Sequence, residues 1–584
     1  ENFKFPIFSS VYILTIFGNT FFYTIFYFFS KKILNSTKKS FFTLLLFIAS
    51  GITYNNLSIM GTDGSIQVFP DTNIYAWSII LLSTYFLIKN KFYFAIGTLI
   101  FLPFIHLGHF FLFSLYILSF FSLKFLKKKG IRELLFIIVY IIFLILIIFI
   151  FGQFEVIKSF ADFKEFFFDH LKASSGHANP LGYSHIFPGV FISYITVLSF
   201  AYLGYCFNFK KESFIGNYKL IILISLFFSV FLFILTIAIP YYELKFLSNI
   251  WFLIPARATV YLQIFVFPLA SAFLFEIISS NYSKIFKYIT MSFMIISSVI
   301  SSFGLFIINV VFLSYFAFIT SCKNLRNQIY LVLILSLTSM LILYFSYEAN
   351  VLETIMLGPF QVYKSLFLQV ENSIFRDSFI LIITARMIIG IIIIIFIYCF
   401  FKIRKIKPIS NIGLFSSISY SDIMILILFV FVFANSFQKM SATFFDNNRQ
   451  EIYKTQLWIG ENIDSHDVIL TDEYIFSFSG VVKNAIIYPS INTFLPFRIL
   501  NKELEEYQEI IEKTINSDYE KNNISYRLNV DDIRRHETNI RNLSEDNIYK
   551  LGQLHGSKYF ITQKSYENFK LLYKNNLYNI YEVF

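Results

Sequence analysis

Residues 153–188 read QFEVIKSFADFKEFFFDHLKASSGHANPLGYSHIFP. His170, His177 and His185 lie in this stretch, with Asp162, Glu165 and Asp169 just upstream. It is the one long polar break in a series of apolar segments. Segments at 133–152 and 188–207 flank it, and runs of 18 or more predominantly apolar residues recur from Tyr12 to Phe433. Each is long enough to cross a hydrocarbon core about 30 Å thick. Composition agrees: 56% of the 584 residues are hydrophobic, only 15% are charged and the mean hydropathy is +0.64, against about 25% charge in a soluble chain. The predicted fold class is a polytopic α-helical membrane protein of about fourteen spans with a C-terminal soluble α/β domain. Titratable groups are costly near a bilayer, so the polar break marks the edge of a working site.

The predicted spans are 8–30, 40–56, 74–88, 92–105, 107–123, 133–152, 188–207, 218–239, 258–278, 286–302, 304–320, 328–346, 378–401 and 421–438. Alternate loops carry 22 Lys and Arg residues, among them Lys38, Lys39, Lys89, Lys124, Lys219, Lys287 and Lys405, whereas the intervening loops before residue 440 carry about 8. Such a bias places the first set in the cytoplasm. It also requires an even number of spans in 92–123, which the break at Pro103-Phe-Ile-His106 supplies. By parity residue 1 starts outside the cytoplasm. The loops at 57–73, 106, 153–188, 240–257 and 347–376 face out, and so do all eight histidines.

The chain is predicted to divide into a multi-span domain, 1–440, and an extracytoplasmic α/β domain, 441–584. From residue 440 onward there are 16 Lys and Arg against 21 Asp and Glu, while the preceding part holds 32 against 16. The basic excess belongs to cytoplasmic loops, so nucleic acid is not an expected partner. In the tail, strands are predicted at 468–472, 485–488, 559–562 and 578–584, alternating with helices at 447–463, 501–517 and 545–554. Cys206, Cys322 and Cys399 lie in or beside apolar segments with no CxxC, so neither a disulfide nor a thiolate metal site is expected.

Candidate site residues come from the outward loops. Asp71 and Asp63 are the only acids in 57–73; an outward carboxylate serves as general base or binds a divalent metal, or else Asp71 caps the helix near Ile74 and Asp63-Gly64 makes a turn. His106 and His109 follow Pro103, where an imidazole binds a phosphate, shuttles a proton, ligates a metal or simply ends a hairpin. His170, His177 and His185 line a pocket or decorate a loop, and 160–171 is predicted as an amphipathic surface helix. Arg257, after Pro255, and Arg386, inside a later span, suit an oxyanion, with snorkelling or a structural ion pair as the bland readings. There is no P-loop, no GxGxxG after a strand and no nucleophile elbow, which argues against ATP hydrolysis.

These pieces resemble the C-type (GT-C) polytopic membrane glycosyltransferases. Pro70-Asp71 precedes a span, Pro103-Phe-Ile-His106 ends a short one, His177-Ala-Asn-Pro180 lies in a long outer loop and Pro255-Ala-Arg257 opens a later span. Trp458-Ile-Gly-Glu-Asn-Ile-Asp-Ser-His-Asp-Val-Ile-Leu-Thr-Asp472 is similar to the start of a C-terminal domain in bacterial members, and Lys558-Tyr-Phe-Ile-Thr562 with a final Tyr-Asn-Ile-Tyr-Glu is similar to its end. The resemblance implies a multi-pass enzyme of the bacterial inner (cytoplasmic) membrane. It would take a sugar from a polyprenyl-phosphate donor and pass it to a glycan, lipid or protein acceptor outside. It implies Asp71 or Asp63 as base or metal ligand, the histidines as pocket lining and Arg257 or Arg386 on the carrier phosphate. It implies no particular cofactor, and a divalent metal at the acids stays open. The family's principal base lies in the first outer loop. The outward start at residue 1 therefore implies a further span and loop upstream of Glu1. Two other classes remain open on sequence alone: a transporter or flippase of a lipid-linked glycan, and a non-catalytic envelope-assembly scaffold.

Overall fold

The computed structural model describes residues 7–49, 72–151, 187–208, 216–241, 258–279, 284–297, 312–318, 320, 323–346, 419–430, 432, 447–471, 486–487 and 543–583. The expected span at 378–401 and the expected helices at 160–171 and 501–517 lie outside them. By its contacts the chain divides into two compact units. One joins Phe8–Leu144 to Ser174–Ser436, and the other joins Phe437–Phe584 to Glu1–Ile7 and Ile145–Ala173.

The described residues are mostly helical. In order they form α1 (Ile7–Leu34), α2 (Thr37–Ala49), α3 (Thr72–Ile88), α4 (Phe92–Leu99), α5 (Leu102–Ile105), α6 (Leu107–Lys128), α7 (Ile131–Phe151), α8 (Phe187–Asn208), α9 (Gly216–Tyr241), α10 (Ala258–Ser279), α11 (Lys284–Ser297) and α12 (Lys323–Ser346). Two stretches among the described residues, Leu107–Lys127 and Thr259–Ser279, are long and apolar enough by length and composition to cross a membrane.

α10 is the hub of this unit. It is predominantly apolar on all sides, with few polar residues, and buried along nearly its whole length, as expected of a helix enclosed by other helices. α2, α8 and α9 pack against it. α8 comes so close that a Cβ on Gly204 would lie 1.9 Å from the carbonyl oxygen of Leu269. Within α10, Pro268 lacks the N–H that would reach back four residues. Side chains serve the backbone around it: Tyr218 Oη donates to Phe265 O at 2.6 Å, and Ser271 Oγ donates to Pro268 O at 3.0 Å. In α1, Phe22, Phe26 and Phe29 are fully buried while Phe17 and Phe28 are exposed. Steps of four and three residues keep the buried rings on one face. Phe26 meets Phe47 of α2 with ring centroids 4.4 Å apart.

Among the described residues of this unit, three helices end in a left-handed non-glycine residue that reverses the chain: Asn35, Asn90 and Lys129, with φ of 48°, 58° and 51°. All three lie in loops the sequence reading marks as basic. The expected single span at 92–105 is two helical pieces. Pro103 cannot donate to the carbonyl of Leu99, so α4 stops there, and Pro103 falls in the first turn of α5 where no N–H is needed.

In the second unit, α13 (Asn447–Asn462) and α14 (Glu545–His555) accompany β1 (Val468–Thr471), β2 (Ile486–Ile487), β3 (Ser557–Thr562), β4 (Lys570–Lys574) and β5 (Asn579–Glu582). The strand order is β2-β1-β3-β5-β4. β1 is parallel to β2 and β3; β5 is antiparallel to β3 and β4. Successive side chains point to opposite faces of a strand. Leu470, Phe560 and Tyr581 accordingly pack with Ile548 and Leu551 of α14, whereas Ile469, Ile561 and Ile580 pack with Ile459 of α13. The described part is a three-layer α/β/α arrangement. β4 was not expected. It is an edge strand whose Lys570 and Lys574 face solvent, so its sequence lacks the apolar run that marks the inner strands.

Candidate functional site

Among the expected site residues, the described ones are His106 and His109. Asp63, Asp71, His170, His177, His185, Arg257 and Arg386 lie outside the described residues. His106 sits between α5 and α6 with extended backbone, φ −156° and ψ 97°, and its Nδ1 accepts the backbone N–H of His109 at 3.2 Å. The imidazole thereby takes the place that Ser or Asp usually fills at a helix start. It also fixes the tautomer: a neutral His106 carries its proton on Nε2.

His109, one turn into α6, is buried. Its ring lies 4.3 Å from that of His106 between centroids. Nε2 is 2.9 Å from Asn73 Oδ1 in the first turn of α3, and Nδ1 is 2.5 Å from Tyr261 Oη in the first turn of α10. An amide oxygen only accepts, so Nε2 holds a proton; in the neutral ring Nδ1 then receives the tyrosine O–H. One imidazole therefore ties together the starts of three helices. Direct contact of this ring with a substrate would require one of these bonds to open.

Trp77, one turn along α3 from Asn73, stands edge-on to His109 with centroids 6.3 Å apart. Its Nε1 is buried and has no hydrogen-bond partner among the described residues. Tyr116 and Phe113 of α6 close the web with rings 5.4 and 5.9 Å from Tyr261. The result is an aromatic, hydrogen-bonded cluster. Among the described residues no three His, Cys, Asp or Glu side chains gather to hold a metal.

The other end of α10 is polar in a different way. Glu276 pairs with Lys39 of α2, and Ser271 Oγ lies 2.5 Å from Thr43 Oγ1. Lys38 pairs with Asp422 at 2.7 Å. Tyr261 and Glu276 are fifteen residues apart, about 22 Å along the helix. The helical unit is thus pinned by an aromatic hydrogen-bonded web near one end of α10 and by ion pairs near the other.

Asn73, Trp77 and Tyr261 were not among the expected site residues. Each is a polar or amphipathic residue at the start of an otherwise apolar segment, and that was the available signal. Asn73 follows Asp71 by two positions, and Tyr261 follows Arg257 by four.

Comparison with family models, with curated proteins and with solved structures gives no match for this chain.

Proposed function

We propose that the chain is a polytopic membrane glycosyltransferase of about fourteen spans, acting on the extracytoplasmic face of a bacterial inner membrane. The reading takes a sugar from a polyprenyl-phosphate donor to a glycan, lipid or protein acceptor. The anomeric carbon–phosphate oxygen bond breaks, the acceptor oxygen–carbon bond forms, and the acceptor proton passes to a carboxylate. Asp71, with Asp63 as the second acid, is the proposed accessory base or metal ligand. Arg257 and Arg386 are proposed to steady the departing phosphate, since charge develops there as the bond breaks. His106, His170, His177 and His185 line the pocket, and His109 positions its walls.

The observation that carries this reading is the His109 web. It joins the starts of α3, α6 and α10, which follow the three loops that hold Asp71, His106 and Arg257 in sequence. Charge supports the orientation independently. Lys39, from a basic loop assigned to the cytoplasm, pairs with Glu276 at the opposite end of α10 from Tyr261. Apolar exposure supports the membrane reading: Leu135, Ile138, Val139 and Ile142 of α7 are all exposed, an apolar surface that water does not favour.

The test is transfer of a labelled sugar from a panel of polyprenyl-phosphate donors by the protein in membranes. Transfer that falls at least a hundred-fold in Asp71→Asn is expected, the scale on which a positioned base contributes. Absence of transfer with every donor, or full activity in the Asp71→Asn and Asp63→Asn double variant, would overturn it.

A further inference from the structure

An open cavity of about 480 Å³ lies between the end of α6 and the start of α9, lined by Asn90, Leu123, Lys124, Lys127, Asn217, Lys219, Leu220 and Leu223 with Gly216. Three lysines from two helices line it, and among the described residues no carboxylate does. The polar frame is rigid. Asn217 Nδ2 donates to Leu87 O at 2.7 Å and to Asn90 Oδ1 at 2.9 Å, which locks the start of α9 to the left-handed turn after α3. Lys124 is buried, its ammonium 4.4 Å from the centroid of Phe92 and 5.3 Å from that of Phe120. Glu133 interacts with Lys124 and is bonded to Arg132, so part of the positive charge is already balanced.

The order of residues along the two helices indicates what would fit. On α6, Leu123 precedes Lys124 and Lys127, which lie in the last two turns. On α9, Lys219 is in the first turn and Leu220 and Leu223 follow. In both helices the leucines therefore lie on the side of the lysines nearer the middle of the helix. Leu123 and Leu223 are also exposed. A charged rim above an exposed apolar wall matches an anionic headgroup above an acyl chain, and the first peptide N–H groups of α9 add positive potential beside the lysines.

We propose that this cavity holds the headgroup of an anionic phospholipid on the cytoplasmic side, with its acyl chain along Leu123, Leu220 and Leu223. The proposal rests on the membrane topology given above and is independent of the transferase chemistry. Basic pockets between helices near the cytoplasmic surface are suited to such lipids, each lysine contributing about a five-fold preference.

The full chain is purified in nanodiscs of phosphatidylcholine containing phosphatidylglycerol, and co-retained lipid is counted by native mass spectrometry. The Lys124→Gln, Lys127→Gln, Lys219→Gln triple variant is compared with Lys31→Gln, Lys32→Gln, which removes charge from another basic loop. Loss of phosphatidylglycerol enrichment by roughly a hundred-fold in the triple variant only is expected. The three Lys→Arg replacements keep the charge and should keep the lipid, which separates charge loss from misfolding. Equal retention by all variants would overturn the proposal. So would protection against heating by inorganic phosphate alone to the same extent as by lipid, which would mark a free-anion site. Release of the chain from membranes by alkaline carbonate would instead refute the topology, so the two failures are distinct.

Discussion

His109 Nε2 stands 2.9 Å from Asn73 Oδ1 while its Nδ1 meets Tyr261 Oη, so a single buried ring links α3 and α10 through α6. His109→Ala deprives both partners of this bond in a buried setting. The expected cost is about 2–4 kcal/mol, because losing a buried partner exposes the desolvation penalty of the group left behind. Tyr261→Phe should cost about 1 kcal/mol, and the two changes together less than their sum. Thermal unfolding of the single and double variants in one detergent measures this; strictly additive losses would mean the two residues do not share a bond.

Trp77→Phe keeps the ring beside His109 and removes an N–H that is buried without a partner among the described residues. Thermal stability should stay within about 1 kcal/mol of the parent or rise, since an unmet donor contributes nothing favourable. If the indole N–H serves the substrate, transfer activity should fall while stability does not. A Tm lowered as far as in His109→Ala would show that the indole is bonded after all.

Gly204→Ala separates helix propensity from packing. In an open helix the change adds about 1 kcal/mol of stability. Here the new methyl would lie 1.9 Å from Leu269 O, and backbone is on the receiving side. A net loss of about 2 kcal/mol or more is expected, because α8 and α10 must separate. Denaturation in mixed micelles reads the sign, and a gain would mean the helices do not approach so closely.

The C-terminal unit should weaken in acid in two steps. Burial holds the His555 imidazole below its ordinary value. As pH falls below about 6.5 the unfolded chain takes up the proton first, so stability declines from there downward. Hydrogen bonds from Lys454 and from the backbone N–H of Asn576 hold the Glu451 carboxyl below its usual range. That contribution is present above the ordinary carboxylate value of about 4.3 and is lost as pH drops through the lowered one. Hydrogen exchange of residues 543–583 in the full chain, followed from pH 7 to pH 4, should show the first step vanish in His555→Gln.

The mostly helical first unit and the small sheet were legible because helix and strand leave periodic marks. Among the described residues, left-handed turns at Asn35, Asn90 and Lys129 fall between apolar segments read from the sequence. Ile469 and Leu470, or Phe560 and Ile561, alternate between the two faces of the sheet as an inner strand requires. β4 has no apolar run because its lysines face solvent, and hydropathy alone does not mark the interruption between α4 and α5, although Pro103, whose missing N–H ends α4, lies in the break read from the sequence.

The sequence by itself determined the apolar class of the chain, the loops that carry charge and the break at Pro103, because each depends on local composition or on one residue's missing N–H. It also singled out His106 and His109 by their place in that break. Only the tertiary structure decided what His109 does. Its two partners lie 36 residues before it and 152 after it, and no local pattern encodes a bond made across such distances. The same holds for Gly204, whose need to lack a Cβ is set by a carbonyl on another helix. It holds too for the cavity between α6 and α9, where lysines from separate helices acquire a shared field only when packing brings them to one rim.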